Sequence, residues 1–276
     1  MIHSIGRRRL ALAGVCLALV CGCNLTRVTP AQNGVLPSPL PPTPVPTAEG
    51  DWKTVVPGVE RRSMGVNLSG APDTEAVVVR LDPTLVTFRI HYSPDQPLSL
   101  NDWYNALPEP AVIANAAFFD ENNRALGLLV QDGQFFGQSF SGFGGMFQVT
   151  ANGVRVRSLV SEPYQGEMLI QAVQAFPMLI EAGGMMAPQG DGFDQRSRRT
   201  LIGQDWAGRI VLAVIPRGTV SLADLQAWLL GSDLGVYIAF ALDGGRSTGM
   251  GIYGPRDSDL YPALDQLPSV IAVYAP

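Results

Sequence analysis

The sequence predicts an α+β fold, mostly antiparallel β-sheet with a few packing helices in a single domain, and three observations carry that expectation. Short segments rich in β-branched and aromatic residues outnumber helical stripes. Several neighbouring segments are joined by hairpin dipeptides. A chain of 276 residues that is 46% apolar and 16% charged supplies a core large enough to bury them, which excludes disorder of the whole chain.

The chain opens on a cationic flank, Arg7-Arg8-Arg9, followed by an apolar run from Leu10 to Cys21. That run is too short to span a bilayer and suits the apolar region of an export signal. It ends in Val20-Cys21-Gly22-Cys23, which resembles a bacterial lipobox, so residues 1–22 are expected to be a lipoprotein signal peptide and Cys23 the lipidated N-terminus. The arginines also permit a twin-arginine route. Residues 23–50 read as a linker, with Pro37, Pro39, Pro41, Pro42, Pro44 and Pro46 removing amide donors and fixing φ. The expected location is outside the cell, anchored to the outer face of the membrane, with residues 51–276 as the folded domain.

Within that domain strands are expected at 76–81, 84–92, 111–117, 126–131, 146–149, 154–156, 200–204, 209–215, 236–242 and 270–274. In the second of these, Val86, Phe88, Ile90 and Tyr92 alternate with Thr87, Arg89 and His91, which puts His91 on an outward face. Asp132-Gly133, Asn152-Gly153 and Ala207-Gly208 turn strands back on their neighbours. A helix is expected over 98–107, stopped by Pro108, and another over 167–175, ending before Pro177. A third begins at Ser221, where Ser221 and Asp224 fit a capping box, Leu222, Leu225, Trp228 and Leu229 form a stripe and Gly231 closes it. No repeat of 20 to 50 residues is present, which argues against propellers and solenoids.

Composition narrows the chemistry. The formal charge is −5, and without the three leader arginines 16 basic residues face 24 acidic ones, or −8, so a nucleic-acid partner is not expected. Lys53 is the sole lysine, the cysteines (Cys16, Cys21, Cys23) all fall within the first 23 residues, and His3 and His91 are the only histidines. Thiol catalysis, disulfides and histidine-rich metal sites are therefore absent from the domain's repertoire, and no cofactor is expected.

Two segments stand apart from plain strand and turn. In Asn115-Ala116-Ala117-Phe118-Phe119-Asp120 a strand runs into a polar side chain, two small residues, an aromatic wall of Phe118 and Phe119, and the Asp120 carboxylate. In Leu242-Asp243-Gly244-Gly245-Arg246-Ser247-Thr248 a strand delivers a carboxylate to a glycine turn followed by hydroxyls, which suits an anionic or sugar ligand. A third, Arg196-Ser197-Arg198-Arg199-Thr200, concentrates guanidinium groups that match phosphate oxygens.

The order of these motifs, with Gly127, the Asp132-Gly133 hairpin, Phe176-Pro177-Met178-Leu179, Gly203 and the closing 242–248 segment, resembles the phosphodiester glycosidase family over roughly residues 76–274. The family includes an enzyme that removes N-acetylglucosamine from a sugar-phosphate diester. Ala116 and Ala117 stand where the family pattern has glycines, and Arg246, expected among the substrate-binding residues, stands where it has a third glycine and either fills the pocket or adds a phosphate ligand. The resemblance implies that Asp243 stabilises an oxocarbenium-like state, that Arg199 neutralises the phosphate, and that Asn115 holds a sugar hydroxyl or orients Asp243. It implies that the Gly244 and Gly245 amides receive phosphate oxygens and that Ser247 and Thr248 complete a polar wall. The expected partner is a carbohydrate phosphodiester or envelope glycan, bound by a monomer. Two rivals stand beside this reading: a glycan-binding lipoprotein without turnover, and a metal-dependent phosphodiesterase using Asp120, Asp132 and Asp243.

Overall fold

The chain alternates between strands buried on both faces and strands buried on one, and this difference sets the layering. The computed structural model describes residues 52–66 and 74–276, all within one compact unit. The expected signal peptide, Cys23 and the proline-rich linker lie outside the described residues.

The largest sheet has eight strands, in the order β1 (Lys53–Val56), β2 (Val59–Gly65), β3 (Glu75–Leu81), β14 (Ile210–Val220), β13 (Ser197–Asp205), β15 (Val236–Ala241), β11 (Met178–Glu181) and β12 (Met185–Met186). A second sheet runs β7 (Gln134–Phe136), β6 (Leu129–Gln131), β10 (Gln171–Ala175), β8 (Gly145–Thr150) and β9 (Gly153–Ser158). The third runs β17 (Ser258–Tyr261), β16 (Met250–Tyr253), β5 (Val112–Asn115), β18 (Ser269–Tyr274) and β4 (Thr87–Tyr92). Adjacent strands pair antiparallel, as the three hairpin dipeptides predict for β6–β7, β8–β9 and β13–β14.

One core is shared by all three sheets: Leu212, Ile202 and Phe240 from the first meet Phe147 and Val173 from the second and Ile90, Val112 and Ile271 from the third. The opposite face of the large sheet is covered by α2 (Leu222–Gly231), whose Leu222, Leu225, Trp228 and Leu229 bury against Val211, Ala213 and Ala239. Central strands of this sheet are thus apolar on both sides, which is why 210–215 reads as a continuous run rather than an alternation. Ser221 caps α2 by accepting a hydrogen bond from the Asp224 amide at 3.0 Å. The shorter α1 (Leu100–Ala106) packs Leu100 and Trp103 on Ile113 and Val270 of the third sheet.

The helix expected over 167–175 is not formed. Residues 171–175 are β10, a central strand with every residue buried. Its two faces bury Ala172 and Val173 in different cores, while Gln171 and Gln174 send their side-chain amides to neighbouring backbone, so no strand-like alternation shows in the sequence. His91 follows buried Ile90 on β4 and is itself half-buried, with Nε2 3.1 Å from the Tyr274 hydroxyl.

Candidate active site

Asp243 leaves the end of β15 and enters a glycine turn where the first and third sheets meet. Its backbone is tied on both sides: the Asp243 amide donates to the Ala116 carbonyl at 3.2 Å, and the Leu242 amide to the Thr200 carbonyl at 3.0 Å. The Gly244 amide donates to the Asp243 carboxylate at 2.8 Å, so this amide serves the protein's own carboxylate in the structure. Gly245 has φ +62°, the left-handed region that favours glycine, and it starts a 3-10 turn, Gly245–Ser247.

Asn115 is the keystone of this turn. It is 1% exposed, at the end of β5, and its side-chain amide donates to the Asp243 carbonyl at 2.6 Å. Its side-chain oxygen accepts from the Thr200 hydroxyl at 2.8 Å and from the Gly249 amide at 3.1 Å. The Thr248 hydroxyl lies 3.3 Å from that of Thr200. One buried amide therefore links β5, β13 and both ends of the 243–249 segment, and it acts on the backbone that carries Asp243 rather than on the carboxylate.

The carboxylate has no guanidinium partner among the described residues. Burial pushes its pKa up from 3.8 to about 6, the Ser247 hydroxyl and the Gly244 amide pull the other way, and the negative charge of Asp265 raises it further. A half-buried carboxylate held at a glycine turn and shifted toward neutrality is a candidate for a reacting group.

The arginines are placed differently from one another. Arg199 donates from Nε to the Val220 carbonyl at 3.1 Å and from Nη2 to the Gln195 carbonyl, which leaves Nη1 and the second Nη2 hydrogen to offer a ligand. Arg198 projects to the side of Thr248, its Nη2 donating to the Thr248 and Pro262 carbonyls at 2.7 and 2.9 Å, with Nε buried and unpartnered. Arg246 is exposed and leans away to pair with Asp265 at 2.7 Å, while its carbonyl accepts from the Leu264 amide.

Phe118 stacks on Phe176 with ring centroids 4.8 Å apart, and Phe140 and Phe143 complete an aromatic wall. Phe143 remains 47% exposed. Gln174 holds the loop carrying Phe140 through the Phe140 amide at 2.9 Å and the Ser139 hydroxyl at 2.8 Å. Phe119 bridges to Ala125, and the Asp120 carboxylate closes the same loop by accepting from the Asn122 and Arg124 amides, both at 2.8 Å. Asp132 sits in the β6–β7 hairpin and accepts from Gln171 at 2.7 Å. Among the described residues no three His, Cys, Asp or Glu side chains gather as metal ligands. Ala116 and Ala117 are 1% and 3% exposed and point into the shared core, so their methyl groups fill the interior rather than a ligand cleft.

Three features of the site were not named among the site residues expected from sequence. Asp265 lies in the loop after β17 with no motif around it. Ser197 reaches the glycine turn because its hydroxyl sits 3.4 Å from where a Gly245 Cβ would be. Phe140 and Phe143 belong to Phe140-Ser141-Gly142-Phe143-Gly144-Gly145, where aromatics between glycines did carry a visible signal.

The domain is mostly antiparallel α+β, and at a Gly-Gly turn it carries a carboxylate with no cationic partner among the described residues. The chain belongs to the phosphodiester glycosidase family, whose model matches residues 109–274. Its structure is similar to the zebrafish N-acetylglucosamine-1-phosphodiester alpha-N-acetylglucosaminidase catalytic domain auto-inhibited by its pro-peptide, at 18% identity and TM-score 0.64 over 82% of this chain and 86% of that one. It is similar also to a hypothetical protein from Synechocystis (16% identity, TM-score 0.59, covering 80% and 63% of the two chains) and to a putative exported protein from Burkholderia pseudomallei (12%, TM-score 0.51, covering 73% and 74%). At these identities the likeness establishes the fold. No curated protein matches the chain.

Proposed function

We propose that this protein is an extracytoplasmic hydrolase that cleaves the glycosidic bond of a sugar-1-phosphate diester, held at the outer face of the membrane through Cys23. The observation that carries the reading is Asp243: half-buried, without a cationic partner among the described residues, shifted to about 6, and fixed through its backbone by a buried asparagine. At neutral pH a carboxyl with that pKa is ionised by about ten to one. Its charge then faces the positive character that develops at the sugar's anomeric carbon as the C1–O bond breaks.

A phosphate monoester leaves without full protonation when its charge is neutralised, so a guanidinium suffices in place of a general acid. Arg199 takes that part through Nη1 and the second Nη2 hydrogen, its Nε and the other Nη2 hydrogen being held by the Val220 and Gln195 carbonyls. The exposed face of Phe143 and the Phe118–Phe176 stack offer an apolar surface for a sugar ring. Such chemistry needs no cysteine, histidine or lysine, in keeping with their scarcity.

The test is incubation of the full-length protein with a panel of sugar-1-phosphate diesters, identifying both products. Release of free sugar together with a phosphomonoester supports the proposal. Release of sugar phosphate with an alcohol would mean cleavage on the other side of the phosphorus. Saturable binding with no products would make the protein a glycan-binding lipoprotein instead.

A further inference from the structure

The first sheet ends, at the start of the described chain, on a cross-strand pair of like charge. Lys53 on β1 and Arg61 on β2 are direct Cα partners, so their side chains stand on one face of the sheet. Like charges directly opposite one another destabilise a strand pair. A third cation joins them from a different sheet: Arg256, in the turn between β16 and β17. Together these three line a cavity of about 400 Å³.

The turn is pressed close against β1. A Cβ on Gly254 would come within 2.9 Å of the Val55 side chain and 3.3 Å of the Val55 carbonyl, so the approach that brings Arg256 to Lys53 is fixed by packing. The acids nearby cancel only part of the charge, since against Lys53, Arg61 and Arg256 stand Asp257 in the lining and Asp259 on Arg61. Asp259 pairs with Arg61, and Glu60 is taken by Arg80 at 2.6 Å. Asp257 also lines the cavity and is exposed. Lys53 and Arg256 have no ion-pair partner among the described residues, in a chain whose formal charge is −5.

We propose that this cavity is a phosphate-binding site, separate from the Asp243 site. A tetrahedral phosphate presents several oxygens at once, so it can meet the two unpaired cations, the Lys53 point charge and the Arg256 guanidinium, beside the N–H groups of Arg61 that do not face Asp259. The volume exceeds that of one phosphate and leaves room for the group esterified to it. The phosphate comes either from a soluble or polymeric phosphate or from a phospholipid headgroup, and the probes separate the two. The site does not depend on the hydrolase reading, and its test does not use turnover.

Because Lys53 is the sole lysine, reductive methylation of the full-length protein with ¹³C-formaldehyde leaves one lysine signal, with its charge intact, beside that of any free N-terminal amine. The Lys53 dimethylamine signal is followed by NMR, in neutral detergent, against inorganic phosphate and against glycerophosphoglycerol, the free headgroup of phosphatidylglycerol. A saturable shift with either probe, weakened at least tenfold by Arg256→Glu and unchanged by the control Arg89→Glu on the exposed face of β4, supports the site. Tighter binding of inorganic phosphate assigns it to soluble or terminal phosphate, and tighter binding of the diester assigns it to headgroups. No saturable shift with either probe, or equal weakening by Arg256→Glu and Arg89→Glu, overturns the proposal.

Discussion

Asp243 binds its proton more tightly than a solvated aspartate because burial strips water from its charged form and Asp265 adds a like charge. If the ionised carboxylate does the work, turnover rises with pH through about 6, and Asp243→Asn removes both that limb and turnover, by about 10³-fold or more. The same shift acts on stability with a definite sign. Between pH 3.8 and about 6 the folded protein holds a proton that the unfolded chain has released, so this group's contribution to stability falls as pH rises through that window. Thermal melts of Asp243→Asn should therefore lose this part of the pH dependence and show a melting point at pH 8 no lower than the parent's. Arg246 bears on the same carboxyl at one remove. Its guanidinium neutralises Asp265, so Arg246→Gly leaves Asp265 to act on Asp243 unopposed, and the acidic limb of the pH–rate profile should move upward. A limb that stays in place would mean that the Arg246–Asp265 pair is merely a surface ion pair.

Three elements meet on one buried side chain, and this decides how the glycine turn is held. Asn115→Ala would strand the Asp243 carbonyl, the Thr200 hydroxyl and the Gly249 amide in the interior, and the expected loss, read by urea unfolding, is about 3 kcal/mol. Where the variant still folds, kcat should drop more than KM changes, since the turn moves and the outer binding surfaces do not. Thr200→Val removes one donor and should cost about 1 kcal/mol. The elements themselves differ in how far sequence exposed them. The cap at Ser221 and the stripe behind it are local and were readable, as were the hairpins at Asp132-Gly133 and Asn152-Gly153. The stretch 167–175 was misread as helix because β10 is buried on both faces, and its glutamines serve the backbone of other strands, which no local pattern records. Strands β1 and β2, beside the linker, carry mixed polar residues and gave no clear alternation either.

At the scale of the molecule, Cys23→Ser should release the protein from membranes or leave it unprocessed, as judged by fractionation and by the mass of the mature chain; membrane attachment and maturation equal to the parent's would sink the lipobox reading. By itself the sequence determined the fold class, the antiparallel pairing and the family, because hydrophobic period, turn dipeptides and motif order are properties of the chain read in line. It also marked Asn115 and Asp243 as residues apart, since each ends an apolar strand with a polar group. Only the tertiary structure decided what those residues do to one another. Asn115 grips the Asp243 backbone across 128 positions of sequence, and the guanidinium of Arg199 spends two of its nitrogens on carbonyls. Arg246 turns outward to an aspartate that no motif marked, and the methyl groups of Ala116 and Ala117 face the core. Side-chain direction at a strand end, and burial that moves a pKa, depend on which sheets close over the residue, and that closure is a long-range outcome of packing rather than of local composition.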